Sequence, residues 1–126
     1  MHILITGHTG FKGAWLTFLL KELGHQVSGI SLPPRPSSIY ANSNQNRLMS
    51  LELLADIRDY ESCYEFIKTT MPDVIIHLAA QPLVRRSYAE TRMTYETNFN
   101  GTLNVLEIST SLSIESTLII TTDKVY

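Results

Sequence analysis

Residues 2–13 read His-Ile-Leu-Ile-Thr-Gly-His-Thr-Gly-Phe-Lys-Gly, which is the most informative stretch for the fold of this chain. A short apolar strand runs into Gly7, Gly10 and Gly13, and a helical pattern begins directly afterwards. Three glycines at this spacing permit a tight turn, admit a pyrophosphate against bare backbone and seat a helix closely on a sheet. The free N–H groups at the start of the helix favour phosphate binding. The stretch therefore predicts a dinucleotide-binding loop.

Length and composition are typical of a single globular domain. The chain has 126 residues, 44% of them hydrophobic and 17% charged, so it can bury a core. A net charge of −2 without a basic run argues against nucleic acid as a partner. The single cysteine, Cys63, excludes an internal disulfide and suits a reducing compartment. The chain has no signal peptide and no apolar run near the roughly 20 residues of a membrane span, so we expect a cytoplasmic protein with no membrane contact. We also expect no metal site.

Strand-like and helix-like segments alternate along the chain. This order is typical of βαβ units, which build a parallel sheet with helices on both faces. We therefore predict an α/β fold, a Rossmann-type doubly wound parallel sheet, as one domain over residues 1–126. Because the last strand runs to the end of the chain, we expect a protein truncated after its fifth strand, without its C-terminal substrate-binding region. Strands are predicted at 2–6, 26–31, 51–55, 74–78 and 117–121, and helices at 11–23, 59–70 and 91–112, with a short additional helix after Pro82.

Local signals refine these elements. Gly24 is placed as the C′ residue that ends the first helix. A cluster of prolines after the second strand, followed by a polar stretch to Asn46, predicts a loop. Asp59 is better placed than Asp56 to cap the helix at 59–70. The first helix carries an apolar side made of Trp15, Leu16, Leu19, Leu20 and Leu23.

Four stretches follow the carboxyl ends of predicted strands, where α/β sheets bind their ligands. Because these ends meet at one edge of a parallel sheet, we expect the four stretches to converge on one cleft. His77 lies inside an apolar strand, and we interpret it as a hydrogen-bonded core histidine rather than a base. The four stretches are Gly7–Gly13, Asp56–Arg58, Ala79–Arg86 and Thr121–Tyr126.

Several motifs in order resemble a known superfamily. The glycine motif, Asp56-Ile57, His77-Leu-Ala-Ala80 and the residues Thr97-Asn98 with Gly101-Thr102-Leu-Asn104 resemble the extended short-chain dehydrogenases/reductases. That superfamily includes nucleotide-sugar epimerases and dehydratases. A narrower set resembles the CDP-glucose 4,6-dehydratase family. This set is Gly7-His-Thr-Gly-Phe-Lys-Gly13, Ala80-Gln-Pro-Leu-Val-Arg-Arg-Ser-Tyr88 and Thr121-Thr-Asp-Lys124.

The narrower resemblance implies a reaction and its partners. The substrate would be the nucleotide sugar CDP-glucose, and the cofactor a tightly held NAD. Hydride would leave sugar C4, water would be eliminated across C5–C6, and hydride would return to C6. The product, CDP-4-keto-6-deoxyglucose, would serve the synthesis of deoxysugars in bacterial surface polysaccharide such as lipopolysaccharide O-antigen.

The cofactor residues follow from the motifs. Gly7, Gly10 and Gly13 would hold the pyrophosphate, with Phe11 and Lys12 at the start of the first helix. The Lys12 side chain would either face a phosphate or lie in solvent. Asp56 could accept a hydrogen bond from the adenine amino group, completed by the Ile57 backbone, or cap a helix. Small residues after the fourth strand would admit the nicotinamide ribose or serve only close strand–helix packing. The resemblance places Ala79, Ala80, Gln81 and Thr97 at this cofactor site.

The choice between NAD and NADP depends on the end of the second strand. A fold that selects NAD often has an acidic residue about 20 positions after the glycines, which holds the ribose 2′-hydroxyl. Here the strand ends Ile30-Ser31-Leu32-Pro33, with Arg35 just beyond. An arginine could accept a 2′-phosphate, so local chemistry leaves NADP open, whereas the resemblance favours NAD.

The resemblance also assigns catalytic roles to Thr122, Asp123 and Lys124. Thr122 would hydrogen-bond the sugar 4-hydroxyl, and Asp123 would protonate the leaving C6 hydroxyl. Lys124 would remove the C5 proton as a neutral base, or stay charged and stabilise the enolate. The alternative is a polar strand end without catalytic function. Because the superfamily's Tyr-xxx-Lys base would lie beyond Tyr126, we expect these 126 residues alone to be inactive.

The predicted helix at 91–112 has two apolar stripes on nearly opposite sides. A helix that is apolar on two sides is buried on two sides. One stripe would face the sheet, and the other would face a second subunit in a homodimer or an absent part of the chain. The competing functions are a sugar-nucleotide 4-epimerase and a non-catalytic dinucleotide-binding module. The stripes are Phe99, Leu103 and Leu106, and Val105, Ile108 and Leu112.

Overall fold

The computed structural model describes residues 1–121, which form one five-stranded parallel sheet with helices on both faces. The strand order is β3-β2-β1-β4-β5, so the predicted doubly wound α/β fold is confirmed. The strands are β1 (His2–Thr6), β2 (Gln26–Ser31), β3 (Leu51–Leu54), β4 (Val74–His77) and β5 (Ser116–Ile119). The helices are α1 (Phe11–Glu22), α2 (Ile39–Asn42), α3 (Tyr60–Thr70), α4 (Val84–Ala89), α5 (Thr91–Tyr95) and α6 (Gly101–Ser111).

The central strand β1 is buried on both faces, as expected for a sheet covered by helices on each side. Leu4 points to the face covered by α3 and α6, and Ile5 to the face covered by α1; both are fully buried. Helix α3 begins at its predicted cap, because the Asp59 side chain accepts a hydrogen bond from the Ser62 N–H. It then buries Cys63, where burial raises the thiol pKa to about 12. Cys63 is therefore a packed core residue.

The connection between β2 and β3 is more ordered than predicted. The loop expected up to Asn46 contains α2 and a 3-10 turn at Gln45–Leu48. The Ser38 hydroxyl caps α2 by accepting a hydrogen bond from the Ala41 N–H, and Tyr40 is only 3% exposed. The burial of this one aromatic side chain stabilises a helix too short to show any periodicity in the sequence.

Helix α1 turns a different side to the sheet than its apolar pattern indicates. Of the predicted apolar side, Leu20 is buried, but Trp15, Leu19 and Leu23 are each more than half exposed. The physical reason is that α1 starts against the glycine loop, where only small side chains fit between helix and sheet. The small or short residues that face the sheet are Gly13, Ala14 and Thr17.

Helices α5 and α6 are joined by a π-helical turn at Glu96–Asn100, so residues 91–111 form one helical segment close to the predicted one. Its stripe of Val105 and Ile108 is fully buried, and Leu112 packs against the same core cluster. This stripe therefore faces the sheet. The outward stripe is Phe99, Leu103 and Leu106, which are 53%, 42% and 43% exposed. Among the helices of residues 1–121, none is long and apolar enough to cross a membrane.

Candidate cofactor site

The carboxyl ends of all five strands lie side by side at one edge of the sheet. Thr6 at the end of β1 pairs with Ile30 of β2 on one side and with His77 of β4 on the other. Beyond them, β3 pairs with β2 and β5 pairs with β4 in parallel. The stretches at 7–13, 56–58 and 79–86 therefore start from the same edge, as predicted.

At two glycines of the loop, neighbouring backbone atoms lie so close that no side chain would fit. Gly7 has φ +78°, and a Cβ there would lie 2.9 Å from the Ala79 nitrogen. A Cβ at Gly13 would lie 2.3 Å from the carbonyl oxygen of Gly7. The loop thus folds back on itself and rests against the start of the stretch at 79–86. These contacts place two of the predicted stretches next to each other.

The start of α1 is suited to an anion. Gly10 is the exposed N-cap residue and provides no side-chain cap, and the first turn of the helix contains no acidic residue. A helix start leaves N–H groups without intrahelical partners and carries a positive partial charge. Phe11 is 70% exposed and Lys12 is also exposed, so neither side chain fills the space above the loop. This arrangement fits a pyrophosphate.

Two side chains inside the loop anchor it, and sequence reasoning missed both. His8 is fully buried, with its Nε2 atom 2.7 Å from Oε1 of Glu52 on β3. Thr9 Oγ1 lies 2.7 Å from the Ser31 hydroxyl and donates to the Leu32 carbonyl oxygen at 3.0 Å. Gly29, in the middle of β2, was the available signal. A glycine inside a strand often marks the close approach of another group.

A chain of hydrogen bonds through His77 connects β1, β4 and helix α6. Thr6 Oγ1 accepts from the Leu78 and Ala79 N–H groups, each at 3.2 Å, and lies 2.6 Å from His77 Nδ1. His77 Nε2 lies 3.0 Å from Thr102 Oγ1, so both ring nitrogens have partners. Burial lowers the His77 pKa to about 4. His77 is thus a neutral, satisfied core histidine, as interpreted.

The stretch after β4 is fastened to the helix across from it. The Gln81 N–H donates to Asn98 Oδ1 at 2.7 Å, and Asn98 Nδ2 donates back to the Gln81 carbonyl at 3.3 Å. The Gln81 side chain donates to Thr94 Oγ1 at 3.1 Å. Asn98, which belongs to the Thr97-Asn98 motif, is therefore the residue that positions this stretch. Its neighbour Thr97 is half-buried, and Ala80 is exposed.

Asp56 is held in place by an arginine. Its two carboxylate oxygens accept from Arg58 Nε at 3.0 Å and from Arg58 Nη2 at 2.7 Å. The adjacent guanidinium lowers the Asp56 pKa, so the carboxylate is charged and remains an acceptor. Arg58 also donates to Glu96 at 3.1 Å, and these three residues line an open cleft of about 570 Å³. Ile57 is 5% exposed, and its carbonyl accepts from Asn104 at 3.1 Å.

The remaining predicted residues are less constrained. Arg35 is exposed. The Ser31 hydroxyl at the end of β2 is hydrogen-bonded to Thr9. The end of β2 is therefore polar but has no acidic residue, as expected from the sequence. The three predicted catalytic residues, Thr122, Asp123 and Lys124, lie outside the described residues.

Residues 4–126 match the family model described as GDP-mannose 4,6 dehydratase, which covers the glycine loop, the Asp56 cleft and the stretch after β4. The chain belongs to this family. It is 41% identical to the CDP-glucose 4,6-dehydratase of Salmonella typhimurium over 98% of its own length and 35% of that protein. This likeness confirms the narrower resemblance seen in the motifs. The chain spans little more than a third of the curated relatives it matches, since the next one, Protein CapI of Staphylococcus aureus, is covered over 39%.

The chain is also similar to solved structures of epimerases. The chain matches a UDP-glucose 4-epimerase from Thermotoga maritima with a TM-score of 0.81 and 30% identity, over 94% of this chain and 37% of that one. A UDP-glucose 4-epimerase from Thermus thermophilus matches with a TM-score of 0.80 and 26% identity, over 93% and 36%. The latter was solved in complex with NAD. The chain therefore shares the fold of the matching part of these two epimerases.

Proposed function

We propose that this chain is the NAD-binding part of a sugar-nucleotide 4,6-dehydratase that converts CDP-glucose to CDP-4-keto-6-deoxyglucose. The observation that carries the proposal is the 41% identity to a CDP-glucose 4,6-dehydratase over 98% of the chain. The product would serve deoxysugar synthesis for surface polysaccharide. Since the chain spans 35% of that relative, turnover by these 126 residues alone is not expected.

The cofactor half of the site is proposed to work as follows. The loop with Gly7, Gly10 and Gly13 binds the pyrophosphate through backbone N–H groups at the start of α1. Asp56, already oriented by Arg58, accepts a hydrogen bond from the adenine amino group. Ala79, Ala80 and Gln81, held by Asn98, lie beside the nicotinamide ribose, and Thr97 borders them. When bound, NAD supplies a hydride acceptor for oxidation at sugar C4 and returns the hydride at C6.

The chemical steps on the sugar are assigned to the stretch that continues from β5. Thr122 hydrogen-bonds the 4-hydroxyl, and Asp123 donates a proton to the leaving C6 hydroxyl. Lys124 takes the C5 proton or stabilises the enolate that its loss creates. These roles rest on the motif Thr121-Thr-Asp-Lys124, which follows β5 in the sequence.

A sugar-nucleotide 4-epimerase is the second candidate, because the solved epimerase from Thermotoga maritima matches at 30% identity. A probable UDP-glucuronate 4-epimerase from Rhizobium meliloti is 29% identical, against 41% for the dehydratase. Product analysis with CDP-glucose and the full-length protein separates the two. A 4-keto-6-deoxy product supports the dehydratase, and a sugar inverted only at C4 supports the epimerase.

We further propose a homodimer through the outward stripe of the helical segment at 91–111. Phe99, Leu103 and Leu106 are exposed apolar side chains on one side of it, and such patches mark interaction sites. Sedimentation of the wild type against Leu106→Asp tests this: the wild type should dimerise and Leu106→Asp should not, with Leu19→Asp on the outward side of α1 as the control. A monomer at all concentrations in the wild type contradicts the proposal.

The cofactor site is tested by calorimetric titration of the chain with NAD and, separately, NADP. We expect saturable NAD binding that is lost in Gly10→Glu, because a carboxylate there would occupy and repel the pyrophosphate. Gly10 has φ −76° and a Cβ there would meet only the Gly7 oxygen, at 3.3 Å, so the variant should fold. Ser37→Glu, an equal charge change in an exposed loop, is the control. Preference for NADP would contradict the NAD assignment and point to Arg35.

A further inference from the structure

We propose that Glu52 and Tyr40 are positioning residues for cofactor binding, which clamp His8 and so hold the glycine loop in its pyrophosphate-binding shape. The proposal rests on the proposed function of that loop. It assigns a role to the β2–β3 connection, which contributes Tyr40, and to β3, which contributes Glu52. Glu52 and Tyr40 lie outside the glycine motif, whereas His8 lies between its first two glycines.

The His8 ring is the buried centre of the clamp. It is fully buried beneath the loop and occupies the space above β2 that Gly29 leaves open. A Cβ on Gly29 would lie 2.3 Å from His8 Nδ1 and 2.5 Å from Cγ. The ring therefore packs directly on strand backbone. Because His8 follows Gly7, any movement of this ring moves the loop backbone with it.

A polar contact with Glu52 orients the His8 ring. His8 Nε2 lies 2.7 Å from Glu52 Oε1, whereas Nδ1 has no hydrogen-bond partner within residues 1–121. Burial lowers the His8 pKa, although Glu52 and, to a smaller extent, the Ile30 backbone oppose this effect, so the ring is neutral and carries one N–H. Only with that hydrogen on Nε2 does the carboxylate receive a donor. Glu52 thus fixes both the tautomer and the orientation of His8.

Tyr40 in turn holds Glu52 in place. The Tyr40 hydroxyl donates to the same Oε1 atom, and its ring meets the His8 ring edge-on, with centroids 5.3 Å apart at 71°. Burial raises the Tyr40 pKa, so the hydroxyl stays protonated and remains a donor. Two buried donors therefore converge on one carboxylate oxygen. The short helix α2 is locked to the loop through this contact.

The clamp acts beside a second anchor. Thr9, the next residue, is tied to Ser31 and to the Leu32 carbonyl at the end of β2. Together the two anchors hold consecutive loop residues, His8 to β3 and Thr9 to the end of β2, which leaves Gly10 at the helix start exposed. A loop that is ordered before the cofactor arrives loses less entropy when it binds. The expected consequence of releasing the clamp is weaker NAD binding.

The test compares Glu52→Leu, Tyr40→Phe and Glu52→Gln with the wild-type chain. Calorimetry should give a Kd for NAD about tenfold higher in Glu52→Leu, the size expected for the loss of a hydrogen bond to a charged group. Tyr40→Phe should raise it about threefold, since the ring remains and only the hydroxyl is lost. Glu52→Gln should bind nearly as the wild type, because an amide oxygen still accepts from Nε2. Glu61→Leu, an exposed glutamate in the first turn of α3, is the control.

A second measurement separates this role from stability alone. Amide hydrogen exchange without NAD should speed up at residues 8–13 in Glu52→Leu and Tyr40→Phe but not in Glu61→Leu. If Glu52→Leu does not fold, Tyr40→Phe decides. Unchanged loop exchange and an unchanged Kd per folded molecule in the folded variants, with only a lower unfolding temperature, would overturn the clamp. Absence of NAD binding by the folded wild type would instead overturn the proposed function, and with it the cofactor role of the clamp.

Discussion

The two halves of the candidate cofactor site are built in opposite ways. On the pyrophosphate side, Thr6 and His8 are fully buried and Thr9 is 8% exposed. On the side proposed to hold the adenine, the side chains of Asp56 and Arg58 are 32% and 34% exposed. The glycine loop is therefore fixed by the same contacts that stabilise the domain, whereas Asp56 is oriented by a salt bridge at the surface.

The difference matters because burial changes the energy of each contact. A buried polar group left without its partner costs about 1–3 kcal/mol, whereas an exposed ion pair contributes about 0–1 kcal/mol. Changes at the buried residues of the pyrophosphate side should thus alter folding and binding together. Changes on the adenine side should alter binding alone.

The largest effect is expected from Gly13→Ala. Its Cβ would lie 2.3 Å from the Gly7 oxygen and 2.6 Å from the His8 Cα, both backbone atoms that cannot rotate away. We expect a loss of about 3 kcal/mol or more in the free energy of unfolding, measured with urea. Gly24→Ala is the control, since Gly24 has φ +82° and open space around it, and only the backbone conformation costs about 1–2 kcal/mol there. Equal losses in the two variants would mean that the loop can shift.

A smaller effect on the buried side is expected from acid. Burial depresses the His77 pKa from 6.5 to about 4, so the unfolded chain takes up a proton before the native one does. The stability present above pH 6.5 should fall as the pH drops, by about 3 kcal/mol once pH 4 is passed. Urea unfolding across this range checks the slope. The His77→Asn variant, although less stable throughout, should show a shallower slope. Identical slopes in the wild type and this variant would contradict the assignment.

Sequence patterns predicted the backbone of the site better than its side-chain supports. The strands, the glycine loop and the Asp59 cap follow from local signals, because periodicity and capping act over a few residues. The His8–Glu52 contact joins residues 44 positions apart, and Gln81 and Asn98 are 17 apart. No local pattern encodes such pairs.

The face of a helix is also decided by its surroundings. Trp15 and Leu19 continue an apolar pattern along α1, yet they lie outward, because the glycine loop admits only small residues between α1 and the sheet. On the helical segment at 91–111, two stripes were equally apolar in the sequence. Packing against the strands selected Val105 and Ile108 for the core. Choices of this kind depend on how closely two elements approach, which a single sequence does not state.

The smallest effect on folding should come from Asp56→Asn, although its effect on binding should be clear. The amide can keep an oxygen toward Arg58, but its NH2 group would replace the second carboxylate oxygen and face the Arg58 guanidinium and the adenine amino group, both donors. The Kd for NAD should rise about tenfold, while the free energy of unfolding should change by less than about 1 kcal/mol, because the Asp56–Arg58 pair is partly exposed. Asp73→Asn is a matched control, since Asp73 accepts an exposed backbone hydrogen bond from His2 at 2.7 Å, outside the site. A large loss of stability in Asp56→Asn, or an unchanged Kd, would show that the two halves of the site are not divided in this way.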